Sequence, residues 1–171
     1  MKIGILDIQG SVEEHISALQ RLGAEIVRVK NAEDLEGLDG LVMPGGESTT
    51  MEKLMKRFGL WEAIIGSGLP IYGTCAGAIL LAKMGLIDME VERNAYGGQL
   101  ESFETELDFE GGRVPAVFIR APRFVNVEKV EVLSRNGEEA VCVRQGKIMA
   151  SSFHPEMAED TNIHRYFLDM C

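Results

Sequence analysis

Short apolar runs alternate with segments of helical spacing in the first half of the sequence, and this alternation is the strongest constraint on the fold. Four runs rich in aliphatic and β-branched residues are predicted to be strands, at 2–8, 24–30, 40–43 and 69–72. Between and after these runs the apolar side chains recur every three or four residues, as they do on an amphipathic helix. Strands that alternate with helices predict a parallel sheet covered by helices on both faces.

The second half has a different pattern, in which strand-like segments follow one another. Such segments lie at 89–93, 114–119, 127–133, 140–144 and 147–151, and a closing helix is predicted at 161–170. Gln145-Gly146 has the composition of a hairpin turn. We therefore expect one α/β domain over residues 1–171, with a doubly wound, mostly parallel, flavodoxin-like sheet and an antiparallel extension in its second half.

Two local signals refine the helices. Ser11 and Glu14 have the spacing of a capping box, which predicts that the Ser11 side chain caps the first helix. Gly59 lies inside a helical pattern that runs from about 49 to 65, and we expect the helix to break there.

Charge and cysteine content exclude several classes of function. The formal net charge of −10 argues against a nucleic-acid or anionic membrane partner. The three cysteines are widely spaced and form no C-x-x-C, so we expect no disulfide framework, no metal site and a reducing, cytoplasmic location. We expect no targeting segment and no cofactor. The apolar window 69–86 contains three glycines and Lys83, and it predicts a strand, a turn and a buried helix rather than a membrane span.

Cys75 lies in Gly73-Thr-Cys-Ala-Gly77, between a predicted strand and a predicted helix. This is the setting of a nucleophile elbow, in which glycines permit a sharp turn and the helix N-terminus favours a thiolate. The alternative is a buried cysteine that acts as a small apolar side chain, the role we expect for Cys142. Nothing around Cys171 in the sequence would activate it.

A nucleophilic cysteine needs a base, and His154 is the best placed of three histidines. Glu156 lies two residues further on, and in an extended chain the two side chains point to the same side. Pro155 disfavours a helix at His154 and supports that extended geometry. We therefore predict a triad of Cys75, His154 and Glu156, and expect His15 and His164 to be surface or packing residues.

An oxyanion hole is predicted from the backbone N–H groups of Gly45, Gly46 and Ala76, because the first two follow the third strand and the last follows the cysteine. The alternative is a plain turn in which Glu47 or Ser48 caps the next helix, and both can hold together. The loop has no pattern of a phosphate-binding loop.

These pieces together resemble class I, or triad, glutamine amidotransferases. More closely, the chain resembles the glutaminase subunits of pyridoxal 5′-phosphate synthase, nearly end to end. The resemblance is carried by LDIQGSVEEH, PGGESTTM, GTCAGAILLAK, VERNAYGGQLESFE, VFIRAP and SFHPE. Two departures are Gly98, where the family has an arginine, and a short segment at 85–90.

The resemblance implies that Cys75 attacks the side-chain amide of L-glutamine, that His154 moves the proton and that Glu156 orients His154. It also implies a glutamine site, formed by Gly46, Glu47, Ser48, Arg93, Ile119 and Arg120. The ammonia would pass to a separate synthase subunit that makes pyridoxal 5′-phosphate. Two alternatives remain open at this stage: another cysteine enzyme of the deglycase or protease-like group, and a non-catalytic binding module with a flavodoxin-like sheet.

Overall fold

The computed structural model describes residues 1–93 and 102–171. Its strands and helices, in chain order, are β1 (Lys2–Leu6), α1 (Val12–Arg21), β2 (Glu25–Val29), β3 (Gly40–Met43), α2 (Ser48–Arg57), α3 (Leu60–Ile65), β4 (Ile71–Thr74), α4 (Ala76–Lys83), β5 (Glu90–Glu92), β6 (Phe103–Phe109), β7 (Gly112–Phe118), β8 (Arg123–Val125), β9 (Glu131–Asn136), β10 (Glu139–Gln145), β11 (Ile148–Ser151) and α5 (Asn162–Met170).

A seven-stranded sheet with the order β2-β1-β3-β4-β11-β10-β9 forms the centre of the fold. In this order, the first five strands, from β2 to β11, are all parallel to one another. Strand β10 is antiparallel to both β11 and β9. Strands β5 and β8, and strands β6 and β7, form two separate antiparallel pairs. The predicted mostly parallel sheet with an antiparallel extension is confirmed. The predicted hairpin is present as well, but its two-residue turn is Gly146-Lys147, one residue later than expected.

Apolar side chains pack against both faces of this sheet. Helices α2, α3 and α4 cover one face with residues such as Met55, Leu60 and Leu80. Helices α1 and α5 cover the other with residues such as Leu19 and Phe167. No helix in the described part of the chain has the length and apolarity needed to cross a membrane.

Some element boundaries differ from the predictions. The predicted strand at 127–133 is wrong: β8 ends at Val125, Asn126 has a φ of +53°, and β9 begins at Glu131. Strand β6 was not predicted, although F-E-T-E-L-D-F alternates as a half-buried strand does, with Leu107 and Phe109 buried.

The helix break at Gly59 is confirmed, because this residue has a φ of +72° and separates α2 from α3.

The predicted capping box at Ser11 is wrong. Ser11 makes no side-chain hydrogen bond to the first turn of α1, and its hydroxyl instead donates to Glu156 Oε1 at 2.9 Å. The Ser11 hydroxyl therefore binds the carboxylate of Glu156, which is distant in the sequence, and does not cap α1.

Four loops that follow parallel strands meet at one edge of the sheet. Because β1, β3, β4 and β11 are parallel, the chain segments after their carboxyl ends lie next to one another. These segments carry Gln9 to Ser11, Gly45 to Glu47, Cys75 and His154, respectively. Such an edge is the usual place for a ligand site in an open α/β sheet.

We expect the substitution Gly77→Ala to destabilise the fold, because helix α4 crosses close to β3. A Cβ at Gly77 would lie 2.0 Å from the carbonyl oxygen of Met43, which is backbone and cannot move aside. Overpacking costs roughly 1–3 kcal/mol or more and should exceed the gain of about 1 kcal/mol from better helix propensity. Urea unfolding should therefore show a lower free energy of unfolding. Gly112→Ala is the matched control, since its Cβ would lie 3.8 Å from the Phe109 carbonyl oxygen, an ordinary contact. A Gly77→Ala protein as stable as the control would contradict this reading.

Candidate active site

Cys75 lies in a sharp turn between β4 and α4. Its backbone angles are φ +50° and ψ −107°, a conformation that L residues rarely adopt and that costs on the order of 1–3 kcal/mol. A Cβ on Gly73 would lie 2.7 Å from the carbonyl oxygen of Gly77, so the pair of glycines lets the strand and helix close around the turn. The chain thus has the strand–turn–helix geometry that the G-x-C-x-G pattern predicts.

His154 and Glu156 lie beside this turn. The Nδ1 atom of His154 is 2.7 Å from Glu156 Oε1, and both side chains are buried. The predicted extended conformation is wrong beyond His154, because Pro155–Met157 forms a 3-10 turn. The two side chains still meet, since His154 itself is non-helical, with φ −107° and ψ 87°, and the turn brings the carboxylate back to the ring.

The carboxylate of Glu156 and the imidazole of His154 each favour the charged form of the other. Burial alone would lower the pKa of His154, but interactions with Cys75 and Glu156 outweigh burial and raise it to about 10. Burial alone would raise the pKa of Glu156, but the facing His15 and His154 outweigh burial and lower it to about 2. At neutral pH the site therefore holds a protonated imidazole between a carboxylate and the Cys75 sulfur.

A cavity of about 430 Å³ opens over Cys75 and His154. All six residues that the resemblance assigned to a glutamine site line it: Gly46, Glu47, Ser48, Arg93, Ile119 and Arg120. Gly45 and Ala76 of the predicted oxyanion hole line it as well. Glu156 does not line this cavity, since it lies behind His154. Position 98 lies outside the described residues.

The loop after β3 is held against the loop after β1. A Cβ on Gly45 would lie 2.6 Å from His154 Cε1, so this glycine permits the close approach of the imidazole. The Gly45 carbonyl oxygen accepts from Ser11 N–H at 3.0 Å, and Gln9 Oε1 accepts from Glu47 N–H at 2.8 Å. The direction of the Gly45–Gly46 backbone therefore depends on Gln9 and Ser11.

Glu47 both caps a helix, as the alternative for this loop predicted, and lines the cavity. Its carboxylate accepts from the N–H of Thr50 at 2.7 Å and of Thr49 at 3.2 Å, at the start of α2. Hydrogen bonds from Thr50 and Thr49 lower its pKa to about 2. Arg93 Nη2 lies 3.4 Å from Glu47 Oε1. The cavity wall therefore carries a carboxylate next to a guanidinium.

Sequence reasoning missed two residues that contact Glu156. Besides Ser11, His15 lies close to the carboxylate, with Nε2 3.4 Å from Glu156 Oε2. His15 and His164 are both fully buried, so the expected surface location is wrong for both. Ser11 directly precedes α1, and His15 lies four residues later in its first turn, so both side chains can face the same side after the loop that follows β1. This four-residue spacing is the sequence signal that could have indicated that the two residues act at the same site.

The other two thiols lie elsewhere. Cys142 is buried in the core as predicted, and burial raises the pKa of its thiol far above the ordinary value. Cys171 is exposed at the end of α5, where partial burial of its thiol and the nearby Asp39 raise its pKa to about 11.

The raised pKa of His154 predicts a pH-dependent contribution to stability. A group whose pKa is higher in the folded state stabilises the fold fully below its unfolded value, 6.5, and loses that contribution as pH rises toward about 10. The stability difference between the native protein and His154→Asn should therefore shrink from pH 6.5 to pH 9.5 in urea unfolding. His164→Asn is the control: burial lowers the pKa of His164 to about 3, so its difference should not change over that range. Equal behaviour of the two variants would contradict the assignment.

Comparisons with known proteins place this geometry in a family. Residues 5–171 match the model of the SNO glutamine amidotransferase family. A protein of Methanocaldococcus jannaschii named pyridoxal 5′-phosphate synthase subunit PdxT is 51% identical over 183 residues, covering 100% of this chain and 98% of the relative. A protein of the same name from Brevibacillus brevis is 51% identical over 185 residues, covering 99% and 97% of the two chains. A crystal structure described as a glutamine amidotransferase superposes with a TM-score of 0.92 at 49% identity, covering 98% of this chain and 97% of the other. The chain belongs to the SNO glutamine amidotransferase family.

Proposed function

We propose that this chain hydrolyses the side-chain amide of L-glutamine to glutamate and ammonia, and delivers the ammonia to a synthase subunit that makes pyridoxal 5′-phosphate. The observation that carries the proposal is that Cys75 and His154, with Glu156 hydrogen-bonded to His154, share one cavity with Glu47 and Arg93. The family and the names of the relatives support the same reaction and partner over the deglycase-like and binding-module alternatives. The proposal treats residues 1–171 as one glutaminase domain.

In the first half of the reaction the proton of the Cys75 thiol passes to His154, and the sulfur attacks the amide carbon of the glutamine side chain. The carbonyl oxygen becomes an oxyanion, for which backbone N–H groups of Gly46 and Ala76 are the proposed donors. The imidazolium of His154 then gives its proton to the leaving nitrogen as the C–N bond breaks. Ammonia leaves, and a γ-glutamyl thioester remains on Cys75.

The second half returns the enzyme to its starting state. His154, now neutral, accepts a proton from water, and the resulting hydroxide attacks the thioester carbon. The C–S bond breaks, glutamate is released, and the proton returns to the Cys75–His154 pair. Glu156 holds the imidazole in one orientation through both halves and stabilises its positive charge.

The charged side chains that line the cavity suit the α-amino acid end of glutamine. The carboxylate of Glu47 is complementary to an α-ammonium group, and the guanidinium groups of Arg93 and Arg120 are complementary to an α-carboxylate. Cys75 and His154 lie elsewhere on the wall of the same cavity, where the side-chain amide would be placed. A cytoplasmic location, where glutamine is available, remains a prediction.

The proposed chemistry predicts a graded series of variants. With the purified synthase present and glutamine saturating, Cys75→Ser should abolish ammonia release, because the hydroxyl is a far weaker nucleophile at neutral pH. Glu156→Gln should keep the fold and lower kcat by roughly 10²–10⁴-fold, as loss of a triad's acid does. Cys171→Ser is the matched control and should retain full activity, since this thiol is remote from the cavity. Full activity of Cys75→Ser would refute the mechanism, and hydrolysis of peptides or glyoxals instead of glutamine would favour a different cysteine enzyme.

A glutaminase that ran freely would waste glutamine, so we propose that the synthase activates this chain through the oxyanion loop. Gly45 and Gly46 can change backbone direction at little steric cost, and Gln9 and Ser11 hold them from the neighbouring loop. A partner that docks on this edge of the sheet would order both loops together. One misdirected oxyanion donor is worth about 10²–10³ in turnover, so partial restoration predicts an increase of about tenfold or more.

The measurement is ammonia release at saturating glutamine with and without the synthase. Gln9→Ala should weaken the activation more than it weakens the fold, because it removes the acceptor for Glu47 N–H. Gln20→Ala, on the exposed face of α1, is the control and should be activated normally. Equal rates with and without the synthase would leave a stand-alone glutaminase.

A further inference from the structure

The Glu156 carboxylate has two oxygens with very different surroundings. Oε1 accepts from His154 Nδ1 at 2.7 Å and from Ser11 Oγ at 2.9 Å. Oε2 is fully buried and has no hydrogen-bond partner among residues 1–93 and 102–171. His15 Nε2 faces it at 3.4 Å. A buried charged oxygen in this position is costly unless the group that faces it is a donor.

The contacts of His15 with its other neighbours decide which of its nitrogens carries the proton. His15 Nδ1 lies 2.9 Å from His164 Nε2, and the buried Nδ1 atom of His164 has no partner within the described part of the chain. If His15 donated through Nδ1, then His164 would accept through Nε2 and would carry its own proton on that unpartnered Nδ1. The opposite arrangement leaves only a lone pair unpartnered and directs the His15 proton from Nε2. This second arrangement avoids both a buried N–H on His164 Nδ1 without an acceptor and a lone pair on His15 Nε2 that faces the Glu156 carboxylate.

Burial supports a neutral state for both rings. His15 and His164 are fully buried, and burial lowers the pKa of each. A neutral imidazole has one donor and one acceptor nitrogen, so the chain of donors runs in one direction, from His164 to His15 and on to the carboxylate.

The same His15 nitrogen also reaches the nucleophile's strand. His15 Nε2 lies 3.1 Å from the hydroxyl of Thr74, which directly precedes Cys75. The ring is therefore placed between the residue before the nucleophile and the carboxylate that orients the base. A proton on Nε2 would lie within reach of both the Thr74 hydroxyl and Glu156 Oε2, and so would connect the two ends of the triad.

We propose that His15 is a positioning residue for the triad, whose Nε2–H, directed by His164, holds the second oxygen of Glu156 and with it the orientation of His154. The proposal rests on the proposed glutaminase function. It goes beyond the triad in making helix α1 part of the machinery, through the inward-facing pair of Ser11 and His15.

Two substitutions at His15 separate positioning from packing. His15→Gln keeps an amide N–H near the position of Nε2, whereas His15→Leu has a similar size and no donor. In the complex with the synthase, His15→Leu should lower kcat by about 10- to 100-fold, the size expected for one lost hydrogen bond to a charged group. His15→Gln should restore kcat to within about threefold of the native value, and KM should change little in either variant.

A control variant shows what a packing defect alone does. Ile16→Val removes a buried methylene from the same helix without touching Glu156 and should leave kcat near native. If His15→Gln and His15→Leu lost activity equally, or if kcat simply followed stability through all three variants, then His15 would be a packing residue and the proposal would be wrong.

The tautomers of His15 and His164 can be measured directly on the native chain, without any substitution. Long-range ¹H–¹⁵N correlation spectra of the histidine rings at neutral pH should show both His15 and His164 protonated at Nε2 and not at Nδ1. A proton on His15 Nδ1 would overturn the proposal directly. The failure of the proposed function would look different, because native protein with its synthase would release no ammonia from glutamine whatever the tautomer.

Discussion

The 2.7 Å hydrogen bond between His154 and Glu156 is the interaction on which the rest of the site depends. A buried carboxylate is expensive, and it survives as a charge only where donors surround it. Here those donors come from separate parts of the chain: His154 follows β11, Ser11 directly precedes α1, and His15 lies in the first turn of α1. The parallel order of β1, β3, β4 and β11 brings those parts together. The charged state of Glu156, which orients His154, therefore depends on the strand order that brings these donors together.

Close backbone approaches are the second constraint, and glycine makes them possible. Gly45 lies against the His154 ring, Gly46 against the Gln9 side chain, and Gly77 against the Met43 carbonyl. Each approach is closer than a side chain would permit. The strained backbone of Cys75 is held within this packing, because Cys75 N–H donates to the Ser151 carbonyl oxygen at 2.9 Å. Strain at the nucleophile is thus offset by hydrogen bonds and packing in the neighbouring strands.

Much of this could be predicted because the signals are local. Strand and helix alternation follows from hydrophobic periodicity, and the Cys75 turn follows from glycines placed two residues to either side. The errors arise where a local pattern competes with a distant partner. Ser11 has the spacing of a helix cap, but the buried Glu156 binds its hydroxyl more strongly than an N–H at a helix end exposed to water would. The strand predicted at 127–133 was placed too early, because Val127 and Val130 are apolar residues that pack against the core from a loop.

The sequence by itself determined the class of the fold, the identity of the nucleophile's turn and the pairing of His154 with Glu156, since each depends on residues within a few positions of one another. Tertiary structure alone decided what surrounds that pair. His15 and His164 lie 149 positions apart and meet at 2.9 Å, and Ser11 reaches Glu156 across 145 positions. Such contacts depend on how α1 and α5 pack against the same face of the sheet. No periodicity encodes that packing, because it is set by the combined burial of side chains from both ends of the chain.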